Sequence, residues 1–136
     1  MPDESTLLII KPDAVRRGLV GEIIGRVERK GLRIDDLRMM RIGVDLAEHH
    51  YAEHEDKPFF AELVDFISSG DVVVLKLSGR DAIGVLRSMM GLTDPAASPP
   101  GTIRGDFGLA ITENLVHGSD SPASAERELA LFFPEA

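Results

Sequence analysis

The chain has no cysteine, and that absence excludes disulfides and any cysteine-ligated metal. It suits a reducing compartment, and the expected location is the cytoplasm. No apolar run approaches the roughly 20 residues that a membrane-spanning helix needs. The opening M-P-D-E-S-T is acidic and polar, without the basic n-region and apolar h-region of a signal peptide. Cations are in deficit: 15 Lys and Arg stand against 23 Asp and Glu, a formal net charge of −8. Such a chain has no general affinity for DNA, RNA or anionic membrane, so neither nucleic acid nor membrane is an expected partner. A nucleotide can still bind where cations gather locally. Two phosphate-binding fingerprints are missing as well. G-x-x-x-x-G-K-[ST] and G-x-G-x-x-G do not occur, which leaves P-loop and protein-kinase architectures without support. Any phosphoryl chemistry here needs another device.

Within those limits, 136 residues with 43% hydrophobic content suit one domain, 1–136, with one core. Leu7, Leu8, Ile9 and Ile10 form the apolar run of a buried strand. Val20, Ile23, Ile24 and Val27 recur at helical spacing, with Glu22 and Arg26 paired four apart and Gly31 past the end. Residues 34–44 read as a strand of mixed pattern, and 46–54 as a polar surface helix. Pro58 opens a helix with Phe60, Leu63, Val64 and Ile67 inward and Gly70 beyond its end. Residues 72–77 give the clearest strand. Asp81 is placed to cap a helix carrying Ala82, Val85, Leu86 and Met89, closed by Gly91. Residues 92–101 lack periodicity and hold Pro95, Pro99 and Pro100, a long loop. A short last strand ends at Val116, and Ser121 and Pro122 open a final helix reaching Phe133. About four strands with helices over them make an α/β (α+β) sandwich. Pattern alone leaves strand order open.

The stretch from Pro100 to Asp120 holds the candidate chemistry. His117 leaves the last strand onto Gly118, whose missing Cβ lets a substrate approach closely. A histidine there is either a structural imidazole on a backbone carbonyl or a nucleophile. Glu128 shares the inward face of the final helix with Ala125, Leu129 and Phe132, and a carboxylate so placed needs a partner. The His117 imidazole is one, reached directly or through Ser119; otherwise Glu128 leans into solvent. A carboxylate that fixes the imidazole tautomer leaves the other ring nitrogen free as base or nucleophile. Arg104, in a glycine-flanked loop, can clamp phosphate bidentately. Lys11 at the end of the first strand, Arg87 on its helix and the Thr93 hydroxyl would serve an anionic ligand if they converge. His50-Tyr51-Ala52-Glu53-His54 matches the H-x-x-E-H zinc-protease pattern, with both histidines on one helix face. A third ligand in register is needed, so a polar helix face is the better reading and no dedicated metal site is expected.

The runs P-G-T-I-R-G-D-F and N-L-V-H-G-S-D, together with L-I-I-K-P-D, H-Y-A-E-H, K-P-F-F and A-L-F-F-P, strongly resemble nucleoside diphosphate kinases over nearly the whole chain. The resemblance implies a ferredoxin-like βαββαβ core with a four-stranded antiparallel sheet, helices covering it, and a long loop before the last strand. It implies transfer of the γ-phosphate of a nucleoside triphosphate, mainly ATP, to nucleoside and deoxynucleoside diphosphates. The route is ping-pong through a phosphohistidine at His117, and it maintains nucleotide pools. Glu128 and Ser119 match the pair that positions the histidine, and Tyr51 backs the imidazole or a phosphate. Lys11 and Asn114 match residues on the ribose hydroxyls and sugar-side phosphate oxygens; Arg87, Arg104 and Thr93 match those on the phosphates. Phe59 and Ile111 match the two faces of the base, where stacking tolerates any base. Mg2+ arrives with the nucleotide, and a homo-oligomer is implied, hexamer favoured and tetramer possible. Phe132 stands where many members have tryptophan and Ile111 where valine is frequent, and both keep apolar bulk. The alternative is a regulatory protein on the same fold without turnover, which an intact site argues against.

Overall fold

Leu7, Leu8, Ile9 and Ile10 are all wholly buried, because the strand they form is covered on both faces. Strand side chains alternate in direction. Leu8 and Ile10 therefore pack with Ile23, Val27, Leu86 and Met90 on one side of the sheet, while Leu7 and Ile9 pack with Ala47, Val64, Ile67 and Phe132 on the other. Burying each such aliphatic contributes about 1.5–3 kcal/mol, and a run without a polar break suits no other place.

The computed structural model of the chain describes residues 3–135. Met1, Pro2 and Ala136, the ends of the expected domain and the start of the polar opening, lie outside the described residues. The elements are β1 (Asp3–Ile10), α1 (Pro12–Arg16), α2 (Val20–Lys30), β2 (Arg33–Arg41), α3 (Val44–His50), α4 (Phe60–Ile67), β3 (Asp71–Arg80), α5 (Ala82–Met90), α6 (Ile103–Phe107), β4 (Val116–Gly118) and α7 (Pro122–Phe132). Short 3-10 turns lie at Ala52–His54 and Pro95–Ala97. The sheet order is β2-β3-β1-β4, each neighbouring pair antiparallel. That is the βαββαβ layout the resemblance implies, with α2 and α5 on one face and α3, α4 and α7 on the other.

Four local expectations need correcting. The polar helix over 46–54 breaks: α3 ends at His50, Tyr51 takes the cap position and a 3-10 turn follows. His50 and His54 therefore do not share a helix face, and His50 is buried rather than polar surface. Asp81 sits at the start of α5 with φ 54° and makes no side-chain cap; instead Glu4 Oε1 accepts the Ile83 N–H at 3.2 Å. The strand over 34–44 stops at Arg41, and Val44 already opens α3.

Arg104 lies on α6 and not in a loop, because Thr102 caps that helix by accepting the Gly105 N–H at 3.0 Å. The proline-rich segment before it is held by one hydroxyl. Ser98 Oγ accepts the Leu92 N–H at 2.9 Å and donates toward the carbonyls of Leu92 and Asp94 at 3.1 and 3.0 Å. The segment folds back on Gly91, whose φ is 97°. A Cβ there would lie 2.8 Å from Thr102 Oγ1 and 2.9 Å from Ser98 Oγ, so the site needs glycine on both counts.

Candidate active site

His117 is the middle residue of β4 and pairs with Ile9 of β1. The sequence reading placed it just past the strand; the strand in fact runs one residue beyond it. Core strand β1 thus fixes its backbone from one side. On the N-terminal side, the Leu115 N–H donates to Asp13 Oδ2 at 3.1 Å and the Leu115 carbonyl accepts the Lys11 N–H at 2.8 Å. On the C-terminal side, the Ser119 N–H donates to the Leu7 carbonyl at 3.3 Å. Gly118 lines the cleft and also serves the packing of the strand. A Cβ on it would come within 2.7 Å of Met90 Sδ and 3.0 Å of Leu86 Cδ2, so glycine is what lets β4 press against α5.

Glu128, on α7, is 4% exposed and does not lean into solvent. Its Oε1 lies 3.0 Å from His117 Nε2 and accepts the Ser119 hydroxyl at 2.6 Å. The carboxylate therefore reaches the imidazole directly and is itself steadied by Ser119. Burial pushes its pKa up, but the bonds from His117 and Ser119 outweigh that and hold it below the usual carboxylate range. An ionised carboxylate only accepts, which assigns a proton to Nε2, so that in the neutral imidazole the lone pair lies on Nδ1.

A second histidine stands against the first. The His50 ring meets the His117 ring edge-on, with centroids 4.6 Å apart and planes at 85°. Tyr51 and Phe132 close round it at 4.7 and 5.5 Å. Burial, with the His117 ring nearby, lowers its pKa to about 3, so it is neutral. Neither of its ring nitrogens has a hydrogen-bond partner among the described residues, a condition that costs about 1–3 kcal/mol. The Tyr51 ring meets His50, one ring removed from His117, and more distantly His54, and burial pushes its phenol pKa up so that it stays protonated.

The cations converge. Lys11, Arg87 and Arg104 line one cleft of about 250 Å³ with Tyr51, Thr93, Asn114, His117 and Glu128. Lys11 Nζ donates to Asn114 Oδ1 at 2.8 Å. Burial, then the charge of Arg104, lowers its pKa to about 8 against the pull of Asp13. Arg104 donates Nε to the Asn114 carbonyl at 3.1 Å, Nη1 to Leu92 at 3.2 Å and Nη2 to Val116 at 2.7 Å. Two of these bonds brace the backbone just before His117, the one to Leu92 holds the segment after α5, and two of its five N–H groups remain. Burial, then Arg87, lowers its pKa to about 10, which leaves it cationic. Arg87 reaches the Gly118 carbonyl at 3.4 Å.

Phe59 and Ile111 lie outside that polar lining and are 44% and 59% exposed. Thr112 Oγ1 donates to Glu62 Oε1 at 3.3 Å, which draws the segment after Ile111 to α4, the helix that Phe59 precedes. A larger hollow of about 470 Å³ lies elsewhere, along Glu4, Lys76, Pro122 and Leu129. It contains none of the converging groups, so the smaller cleft is where chemistry can occur. Asp13, His50, Glu53 and Asp120 were not singled out as site residues from sequence. His50 and Glu53 enter the sequence reading only as part of the H-x-x-E-H match, and the one signal for Asp13 is its place at the first turn after Lys11.

No helix among the described residues is long and apolar enough to cross a membrane. The family model for nucleoside diphosphate kinase matches residues 4–136. A nucleoside diphosphate kinase of Rubrobacter xylanophilus is 63% identical over 130 residues, covering 96% of this chain and 98% of that protein. One from Archaeoglobus fulgidus is 58% identical over 132 residues, covering 97% and 87%. The solved structure of a halophilic nucleoside diphosphate kinase from Halobacterium salinarum in complex with CDP matches with a TM-score of 0.95 at 51% identity, over 97% of this chain and 88% of that one. The chain therefore belongs to the nucleoside diphosphate kinase family, the phosphotransferases that move a γ-phosphate from a nucleoside triphosphate to a nucleoside diphosphate.

Proposed function

We propose that His117 carries the phosphoryl group in this reaction, on Nδ1, with Glu128 and Ser119 as its positioning pair. The observation that supports this most is the 3.0 Å contact between His117 Nε2 and the Glu128 carboxylate, in a cleft shared with three cations. The Nδ1 lone pair attacks the terminal phosphorus of the donor. The N–P bond forms as the bridging P–O bond breaks, and the diphosphate takes the electron pair. A second diphosphate enters the same cleft, its terminal oxygen attacks the phosphorus, and the N–P bond breaks. The positive charge the imidazole gains in the first half is met by Glu128.

Lys11, Arg87 and Arg104 neutralise charge spread over the transferring oxygens, and positioning with electrostatics supplies most of the acceleration. Asn114 and Lys11 serve the sugar side, and Thr93 adds a hydroxyl to the phosphates. Phe59 and Ile111 flank the base. Their exposure beside an otherwise polar cleft suits a slot that grips any base by its faces. Tyr51 keeps His50, and through it His117, from turning.

Mg2+ prefers six oxygens. Among the described residues the one set of three side chains able to hold a metal is His50, His117 and Glu128, which is nitrogen-rich and unsuited to it. The cleft therefore fits Mg2+ that would enter on the nucleotide phosphates, where Glu53 and Asp120, which line it, would be the nearest carboxylates to help hold the ion. When bound, it supplies charge neutralisation at the phosphates. The sheet with its two flanking apolar layers favours residues 1–136 acting as one domain, and a cytoplasmic setting suits a chain without cysteine. Self-association, to a hexamer or a tetramer, is favoured by β2, a sheet edge that carries Leu37 and Met39 at 45% and 60% exposure.

Initial rates at varied ATP and dGDP test the mechanism. Parallel double-reciprocal lines are expected, and isolated labelled enzyme should hand its label to dGDP or CDP alone. Intersecting lines, or label that no diphosphate removes, would reject the covalent route.

A further inference from the structure

The H-x-x-E-H match raises the question of a metal, and both its histidines line the cleft, but only His50 joins a cluster of metal-ligating atoms. His54 faces Phe59, with ring centroids 5.6 Å apart, whereas His50 lies against His117. His50, His117 and Glu128 are the one set of three among the described residues that brings metal-ligating atoms together, all within 4.8 Å of one another. Two imidazoles and a carboxylate are a set that zinc accepts in sites with an open fourth position.

A second observation points to a ligand. His50 is 3% exposed, lines the cleft, and leaves both ring nitrogens without a partner. Buried polar side chains are nearly always bonded, so an orphaned imidazole beside two other donors is a group short of a partner. Charge does not forbid a cation. The lining sets Glu53, Asp120 and Glu128 against Lys11, Arg87 and Arg104, three of each sign, although Arg127 also stands 3.7 Å from Glu128 Oε2. Bonds of about 2.0–2.2 Å in a tetrahedral site set donors roughly 3.3–3.6 Å apart, so the widest of the present separations, which reach up to 4.8 Å, has to close. The His117 side chain, 23% exposed against 5% for Glu128, has room to close that gap.

We propose that His50, His117 and Glu128 form a binding site for a borderline-soft divalent cation of the Zn2+ type, and that such a cation reversibly silences the kinase. Coordination through Nδ1 of His117 takes the lone pair that would attack phosphorus. Coordination through Nε2 sends the ring proton to Nδ1 and blocks attack equally. The inhibition rests on His117 as the nucleophile; the binding site does not.

The test is a titration of the nucleotide-free full chain with Zn2+ against a chromogenic chelator, with Co2+ absorption as a second readout. One Zn2+ per chain is expected. His50→Asn and Glu128→Gln should each weaken it at least tenfold, and His54→Asn should leave it unchanged. Absence of stoichiometric zinc, or equal affinity in wild type and a folded His50→Asn, overturns the proposal. Label mapped to another residue would overturn the nucleophile and leave the zinc result standing, so the two failures are distinct.

Discussion

Leu115 and Asp13 hold each other across 102 positions of chain, through a 3.1 Å bond from the Leu115 N–H to the Asp13 carboxylate. Leu115 has a φ of 76°, left-handed backbone that a bulky residue adopts at a cost of about 1–2 kcal/mol. The conformation persists because Lys11 fixes its carbonyl while Asp13 fixes its amide. Two residues later comes His117, and one residue earlier Asn114 receives the Lys11 ammonium. One buried carboxylate thus secures the turn that places His117, the proposed nucleophile, and the Lys11–Asn114 pair.

Asp13→Ala is therefore expected to destabilise the fold by about 1–3 kcal/mol, the cost of leaving a buried amide unpaired. Asp13→Asn keeps an acceptor and should lose less in both stability and kcat. Urea unfolding beside steady-state kinetics checks this, and two variants of equal stability would contradict the pinning of Leu115.

Glu128 and Ser119 should differ in weight. Glu128→Gln removes a charge-assisted bond worth about 1.5–3 kcal/mol, which predicts roughly a 10- to 100-fold slower phosphorylation. Ser119→Ala leaves the direct 3.0 Å contact of His117 with Glu128 in place, and its loss should stay below about tenfold. Single-turnover labelling measures both; the reverse order would mean that Ser119 touches the chemistry itself.

Lys11 predicts a pH effect with two signs. Burial, then Arg104, lowers its pKa from 10.5 to about 8. Between those values the unfolded chain binds more protons than the folded one, so this group makes stability rise with pH there. Activity moves the other way, because a neutral lysine no longer neutralises phosphate. The kcat/KM profile, which reports the free enzyme, should fall above pH about 8, and Lys11→Arg should shift that limb out of range. A limb that stays in place would assign it to another group.

Phe59→Ala should weaken ATP, GTP and CTP by a similar factor, on the order of 1–3 kcal/mol. Equilibrium titration of each nucleotide checks it. A loss confined to purines or to one base would replace face stacking with edge recognition.

The period-2 and period-3.6 patterns carried most of the architecture. Leu7–Ile10, the helix closed by Gly31 and the Ser121-Pro122 start of α7 are local signals, and the structure has them where the pattern put them. The inward carboxylate of Glu128 was legible for the same reason, since Ala125 and Phe132 mark its face. Strand order came from the resemblance, because hydrogen-bond partners are set by packing between distant segments. Asp13, the contact of His50 with His117 and the packing duty of Gly118 stayed hidden on the same ground: each depends on a neighbour at least 28 positions away, Met90 for Gly118 being the nearest in sequence. Arg104 was misplaced because Thr102 and Ser98 order a segment whose prolines read as irregular.

The position of the phosphoryl group on the protein tests the central claim most directly. Brief reaction with ATP, followed by proton–nitrogen correlation spectra and mass mapping of the labelled chain, identifies both residue and ring atom. The expected product carries the phosphoryl on Nδ1 of His117, loses it to dGDP, and does not form in His117→Gln. A phosphoryl on Nε2, which the Glu128 contact should shield, or on any other side chain, would contradict the account.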